Sequence, residues 1–371
     1  MSQLFHPLRV RAIEPDTDEA AIVSFDVPPA LREVFAFNQG QYLTLRTQVD
    51  GQDLRRSYSI CAGVDDGELR VGVRKVAGGV FSNWINTRLR PGDTVQVMPP
   101  QGRFFVPLDP AAHRHYLGVA GGSGITPILS IMKTVLAREP HARFTLIYAN
   151  RSAKSTMFKE EIEDLKNRHM ARLALHHVFS GEETELPIHA GVMNRDKVGE
   201  FLARLVDARA IDHAFVCGPY QMNDEVEAAL LAAGVPEERV HIERFGVAPA
   251  SGADAQAGAR GAAAAGAVEH EARPGDAERA RVVIVRDGLR REFDFSKDDP
   301  SILDAASSAG LEVPFSCTSG VCGTCRARLL EGEVRMTRNF ALDKADLAGG
   351  FVLCCQAHPL TERVVLSFDD R

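Results

Sequence analysis

Residues Phe315–Leu329, FSCTSGVCGTCRARL, place Cys317, Cys322 and Cys325 in one glycine-studded loop late in a chain of 371 residues. The spacing is C-x4-C-x2-C, and Cys355 follows after 29 intervening residues. Seven cysteines is an odd number for a disulfide framework and a low density for a secreted scaffold, so metal or redox use is the better reading. A structural zinc site would normally show two C-x2-C pairs on separate knuckles, and only one C-x2-C is present. Inert buried thiols would not explain three cysteines in nine residues of polar loop.

Three thiolates from one loop and a distant fourth have the spacing of a plant-type 2Fe-2S centre. Two irons need four thiolates, and backbone N–H groups reach the sulfurs only if the loop's side chains are small. Gly320 and Gly323 supply that room, while Ser316, Thr318, Ser319 and Thr324 add hydroxyl donors. The expected metal ligands are therefore Cys317, Cys322, Cys325 and Cys355. Cys354, on the opposite face of a strand expected at FVLCCQ, and Cys61, in an earlier strand, are expected to be core residues.

Outward from the loop, residues 281–371 form a small α+β unit. It has a hairpin RVVIVRDGLRREFDF turning at Asp287-Gly288, a helix SILDAASSAGLEV, a hairpin at RARLLEGEVRM, and terminal strands FVLCCQ and RVVLSF. Residues 248–280 are dominated by Ala and Gly and hold no aromatic, too little to bury, so a flexible linker is expected there. Residues 108–247 alternate apolar strands (YLGVA, FTLIYAN, LALHHVF, HAFVCGP) with amphipathic helices, the pattern of a parallel sheet wrapped by helices. Residues 1–107 alternate apolar and polar positions in short runs separated by turn residues, which indicates an antiparallel barrel or sandwich.

Two stretches carry nucleotide chemistry. Arg56-Ser57-Tyr58-Ser59 ends a strand and Gly78-Gly79-Val80-Phe81-Ser82 precedes a helix. An aromatic on a flat ring, an arginine on a diphosphate and a glycine-led helix N-terminus would together bind FAD, although each alone also fits ordinary surface. In VAGGSGITP, Gly121, Gly122 and Gly124 lie between a strand and a helix starting near Thr126, where a dinucleotide pyrophosphate would sit. Pro127 replaces the third glycine of G-x-G-x-x-G, so a plain strand-to-helix turn competes with this reading. After the next strand the usual ribose-binding acid is replaced by Asn150-Arg151-Ser152; Arg151 and Ser152 favour NADPH over NADH, against a solvated loop arginine as the alternative. Cys217-Gly218-Pro219 ends a later strand, with Met222 opening a helix; Cys217 is either beside the nicotinamide or a buried structural thiol.

Taken in order, RxYS, GG-x-x-S, GGSGITP, CGP-x-x-M and the cysteine loop resemble the ferredoxin-NADP reductase superfamily over the whole chain except the linker. Within it, YANRSAKSTMFKEEIEDLKNRH, HIERFGV and the segment from Cys317 to Pro359 resemble the reductase subunits of di-iron monooxygenases of the phenylacetyl-CoA epoxidase type. The resemblance implies an antiparallel β-barrel FAD domain, an α/β parallel-sheet NAD(P) domain and an α+β β-grasp 2Fe-2S domain. It implies that Arg56, Tyr58 and Ser59 hold FAD, with Tyr58 against the isoalloxazine and Ser59 near its reactive nitrogen, and that Gly79, Val80 and Ser82 line the FAD pyrophosphate. Gly122, Gly124 and Thr126 would bind the nicotinamide dinucleotide, with Cys217 and Gly218 near the nicotinamide and Phe245 over the other flavin face. Ser59 and Cys217 are the expected catalytic residues.

The implied activity is electron transfer from NADPH to FAD to 2Fe-2S to an external oxygenase component, in which FAD converts a two-electron donor to a one-electron carrier. No paired E-x-x-H helices are present, so the oxygen chemistry belongs to that partner. Serving a steroid or aromatic-ring hydroxylase is the alternative; a non-catalytic metal-binding interaction protein is the rival from another class. The net charge of -7 and the lack of a Lys/Arg block give no footprint for nucleic acid or an anionic membrane. An N-terminus without an apolar h-region, and no apolar run of about 18 residues, lead us to expect a cytoplasmic protein. Arg326 and Arg328 are where docking contacts would first be sought, with ordinary solvated surface charge as the alternative.

Overall fold

A computed structural model describes residues 4–245 and 272–370, which divide into two compact units. The larger holds an antiparallel sheet of β1 (His6–Thr17), β2 (Ala20–Asp26), β3 (Tyr42–Val49), β4 (Gln52–Ser59), β5 (Leu69–Arg74) and β6 (Thr94–Val97), in the order β4-β3-β6-β1-β2-β5. An Ile60–Val71 bridge joins its two edges, so the sheet closes as a barrel. Alternate residues point inward: Leu8 and Val10, Val23 and Phe25, Leu43 and Leu45, Val71 and Val73. Helix α1 (Val80–Thr87) adds Phe81 and Ile85, one turn apart, to the same core. Asp50 and Gly51 both adopt positive φ, which suits the tight turn from β3 to β4.

The same unit contains a parallel sheet of β7 (His115–Gly121), β8 (Arg143–Asn150), β9 (Leu173–Phe179), β10 (His213–Gly218) and β11 (Val240–Arg244), in the order β11-β10-β7-β8-β9. Helices α2 (Ile125–Arg138) and α3 (Lys159–Arg168) cover one face, and α4 (Arg195–Arg204) and α5 (Tyr220–Ala232) the other. Barrel residues Ala20, Ile22, Cys61 and Phe104 share the core of α2, so barrel and parallel sheet are packed together. The strand order reverses between β7 and β10, the place where open α/β sheets bind their ligands. The fifth strand, β11, adds to the four strands expected from sequence.

The smaller unit contains β12 (Arg279–Arg286), β13 (Leu289–Ser296), α6 (Ile302–Ser308), β14 (Arg326–Glu331), β15 (Val334–Met336), α7 (Lys344–Ala348), β16 (Phe351–Leu353), β17 (Ala357–Pro359) and β18 (Arg363–Ser367). Its main sheet runs β13-β12-β18-β14-β16, with β18 parallel to β12. The hairpin at Asp287-Gly288 forms, with φ of 53° and 70°.

Three expectations need correction. The hairpin at RARLLEGEVRM is not one: β14 pairs with β16 and β18, and β15 with β17. Gly332, at φ +85°, turns the chain against the Arg363 carbonyl, where an added Cβ would come within 2.2 Å. The strand expected through FVLCCQ stops at Leu353, and Cys354 to Gln356 form a turn. The expected linker extends too far: its residues 248–271 lie outside the described residues, but Asp276 accepts from Arg335 (2.6 Å) and the sheet begins at Arg279.

Candidate functional site

The end of β4 brings Ser59 to the carboxyl ends of β10 and β11. Its hydroxyl donates to Glu243 Oε2 at 3.2 Å. Glu243 stands beside Cys217 in the parallel register, and the Asn223 amide of α5 donates to the Glu243 carbonyl at 3.1 Å, tying the helix to this strand end. Burial lifts the Glu243 carboxyl to about 8. It also raises the fully buried Cys217 thiol, with Glu243 adding to the shift. Glu243 is a candidate that the sequence does not single out, a lone acid next to the end of VHIER. Phe245, two residues further on, packs against the cluster containing Cys217.

The glycine turn meets this corner directly. A Cβ on Gly124 would lie 2.1 Å from the Cys217 carbonyl oxygen, so backbone approach there requires glycine. Gly122 has φ +52°, and its carbonyl accepts from the Tyr148 hydroxyl at 3.0 Å. Thr126, buried in the first turn of α2, donates its hydroxyl to the Ser123 carbonyl and closes the loop. Gly218 lies against Met222 and Gly121, so both glycine motifs converge on the sheet's reversal point.

The other candidates lie along the barrel. The Arg56 guanidinium donates to the Arg55 carbonyl at 2.7 Å, and the Tyr58 ring tilts against Phe81 at 6.0 Å. Gly79 precedes α1 without a capping side chain, with Val80 exposed. Ser82 Oγ accepts from the Val76 N–H at 3.2 Å, so its oxygen tightens the loop ahead of the helix. Beyond β8, Arg151 is exposed and faces Glu19 at 3.4 Å. The Ser152 hydroxyl bonds Ser155 within its own turn. Glycine backbone at the start of α2 and the Ser59–Glu243 pair at the strand ends fit a nicotinamide dinucleotide, and the uncapped start of α1 fits a flavin pyrophosphate.

In the smaller unit, Thr318, Gly320 and Gly323 all adopt positive φ, which coils the cysteine loop tightly. Cys317 Sγ accepts from the N–H of Ser319 at 3.4 Å and of Cys322 at 3.3 Å. The thiols fall in two pairs. Cys322 bonds Cys317, holding the latter well below the usual thiol range, and the neighbouring Cys355 raises buried Cys325 well above it. Among the described residues no three His, Cys, Asp or Glu side chains converge on a single ion position. Four thiols gathered by one loop and one turn fit a two-iron cluster, which these residues would hold. The Gln356 amide donates to the Thr318 and Cys355 carbonyls (2.9 and 2.8 Å), bracing Cys355 against the loop. Cys354 is buried in the core, and its N–H donates to the Cys325 carbonyl at 3.1 Å.

Of the two arginines beside the cysteine loop, Arg326 is engaged within its own unit. Its side chain pairs with the buried Asp346 at 2.9 Å and covers the Phe351 ring at 3.3 Å, so it anchors α7. Arg328 is exposed, 3.5 Å from Asp370.

Comparison with known proteins follows the same divisions. Residues 7–106 match the oxidoreductase FAD-binding domain family, 119–228 the oxidoreductase NAD-binding domain family, and 284–360 the 2Fe-2S iron-sulfur cluster binding domain family. The chain is 40% identical to a subunit of the 1,2-phenylacetyl-CoA epoxidase of Escherichia coli (strain K12), covering 98% of each. It is 32% identical to the ferredoxin reductase component of 3-ketosteroid-9-alpha-monooxygenase of Rhodococcus rhodochrous, covering 97% of this chain and 96% of that one. Among solved structures, phthalate dioxygenase reductase has a similar fold, with a TM-score of 0.57 at 24% identity over 98% of both chains. No helix among the described residues is long and apolar enough to cross a membrane.

Proposed function

The chain belongs to the ferredoxin-NADP reductase superfamily with a C-terminal 2Fe-2S domain, and from that premise we propose that it draws electrons from NADPH and delivers them to the di-iron oxygenase component of a phenylacetyl-CoA epoxidase in the cytoplasm. The observation that carries the reading of an electron entry site is the Ser59–Glu243 contact at the corner where both glycine motifs converge. Bound FAD and 2Fe-2S supply the chemistry that separates a two-electron hydride into single electrons.

The protein's own residues bind and orient. Arg56, Tyr58 and Ser59 would hold the flavin, with Phe245 over its other face, while Gly79, Val80 and Ser82 present the start of α1 to its pyrophosphate. Gly122, Gly124 and Thr126 would seat the coenzyme pyrophosphate at the start of α2, with Cys217 and Gly218 beside the nicotinamide. Arg151 and Ser152 would take a 2′-phosphate. Glu243, protonated below about pH 8, accepts from the Ser59 hydroxyl and would hold an exchangeable proton, rather than an anion, where flavin and nicotinamide are to meet. Cys317, Cys322, Cys325 and Cys355 would hold the cluster.

The choice of partner is supported by the 40% identity to the epoxidase protein, against 32% to the ketosteroid relative. That second likeness sustains a second reading, the same electron transfer for a steroid or aromatic-ring hydroxylase. Reconstitution separates them. NADPH-driven epoxidation of phenylacetyl-CoA by the oxygenase component is expected to require this protein, and turnover unchanged by omitting it would overturn the assignment.

A further inference from the structure

Asp18 and Glu19 form the turn between β1 and β2. Glu19 Oε2 accepts from Arg74 Nη2 at 2.9 Å and faces Arg151 Nη2 at 3.4 Å, so one carboxylate oxygen is shared by two guanidinium groups, one at the end of β5 and one just beyond β8. Arg74 also borders the glycine turn: a Cβ on Gly122 would lie 3.0 Å from its Nη1. The neighbouring Lys75 is fixed to the same turn, its Nζ donating to the Asp18 carbonyl at 2.9 Å. The hydrogen bond from Arg74 holds the Glu19 carboxyl below its ordinary range, so it is an anion at neutral pH.

A negative group therefore occupies the space between the turn assigned to the coenzyme pyrophosphate and the arginine assigned to its 2′-phosphate. We propose that Glu19 is a built-in competitor for the 2′-phosphate and sets how strongly the enzyme prefers NADPH to NADH; this rests on the reading that Arg151 holds that phosphate. A phosphate monoester brings close to two negative charges and three acceptor oxygens. To bond Arg151 it must displace Glu19 or lie beside it, and either costs affinity. NADH has no such group and leaves the carboxylate where it is. Arg151 is the most exposed of the three side chains, at 73% against 53% for Glu19 and 22% for Arg74, so it is the one placed to exchange partners.

The test uses holoenzyme with ferricyanide as acceptor, comparing wild type, Glu19→Gln and Arg151→Ala. Glu19→Gln should lower KM for NADPH about three- to fivefold, the range of an exposed ion-pair effect, and change KM for NADH less than twofold. By calorimetry, adenosine 2′,5′-bisphosphate should bind Glu19→Gln more tightly by the same factor, and AMP should not. Arg151→Ala should weaken the bisphosphate selectively. If Arg151→Ala is selective but Glu19→Gln moves both coenzymes equally or neither, the competitor role is wrong. If Arg151→Ala leaves the discrimination unchanged, the 2′-phosphate reading itself fails and the competitor role with it.

Discussion

Glu243 shows how one side chain can be placed by chain geometry and tuned by burial. Its carboxyl rises from an ordinary 4.5 to about 8, so it is neutral through most of the physiological range. Glu243→Gln keeps a neutral side chain of similar shape but cannot exchange a proton. We expect the rate of flavin reduction by NADPH, followed by stopped-flow, to fall about 10- to 100-fold. In wild type that rate should decline as pH rises through 8, and in the variant that limb should be absent; a limb that persists would remove Glu243 from the mechanism. The linkage has a definite sign. The native state keeps a proton that the unfolded chain releases above 4.5, so this group's contribution to stability falls as pH rises from there to about 8, and the variant should lack that slope. Ser59 and Cys217 were legible because each sits in a motif. Glu243 was not, because its place opposite Ser59 depends on β11 lying beside β10, a pairing between residues far apart in sequence.

Elements were legible where burial leaves a periodic trace. β7 and β8, covered on both faces, are nearly continuous apolar runs, whereas β11 is an edge strand whose residues are all half-buried, and VHIER carries no such trace. At EGE the turn residues announce a reversal of the chain but not its pairing, which Gly332 decides by crossing the Arg363 backbone. The contact between the start of α2 and the end of β10 gives an element-scale prediction. Gly124→Ala would press a methyl onto the Cys217 carbonyl, 2.1 Å away, and should cost about 3 kcal/mol. Gly218→Ala meets first the flexible methyl of Met222, at 2.4 Å, and should cost about 1 kcal/mol. Urea unfolding of the two variants should rank them in that order; an equal or inverted ranking would mean that the strand end gives way more easily than its packing implies.

For the whole molecule, the order of barrel, parallel sheet and cysteine-bearing sheet could be read from changes in sequence texture, since each unit needs its own pattern of buried residues. The boundary before the last sheet leaves no trace in the sequence, because residues 272–280 share the small polar composition of what precedes them, although Asp276 is held by Arg335. The division of labour between units can be tested at the fourth thiol. Cys355→Ala should abolish the cluster's visible absorbance and delivery to the oxygenase, while NADPH–ferricyanide activity through the flavin persists. Cys354→Ala should keep the cluster and cost about 1–2 kcal/mol through the cavity it leaves. Iron content and visible spectra of both variants decide the matter, and cluster loss on removing Cys354 alone would reassign the fourth ligand.

The position of β18 has a further consequence. This strand lies between β12 and β14, so the hairpin of β12 and β13 has no sheet partner on its inner side until residues 363–367 have been made. All four cysteines of the proposed cluster emerge during translation before that strand does. Pairings between residues far apart in sequence form slowly, because the chain between them must first be closed into a loop. The cysteine loop is thus made before the sheet that supports it can close, and we expect cluster insertion to follow the pairing of that last strand.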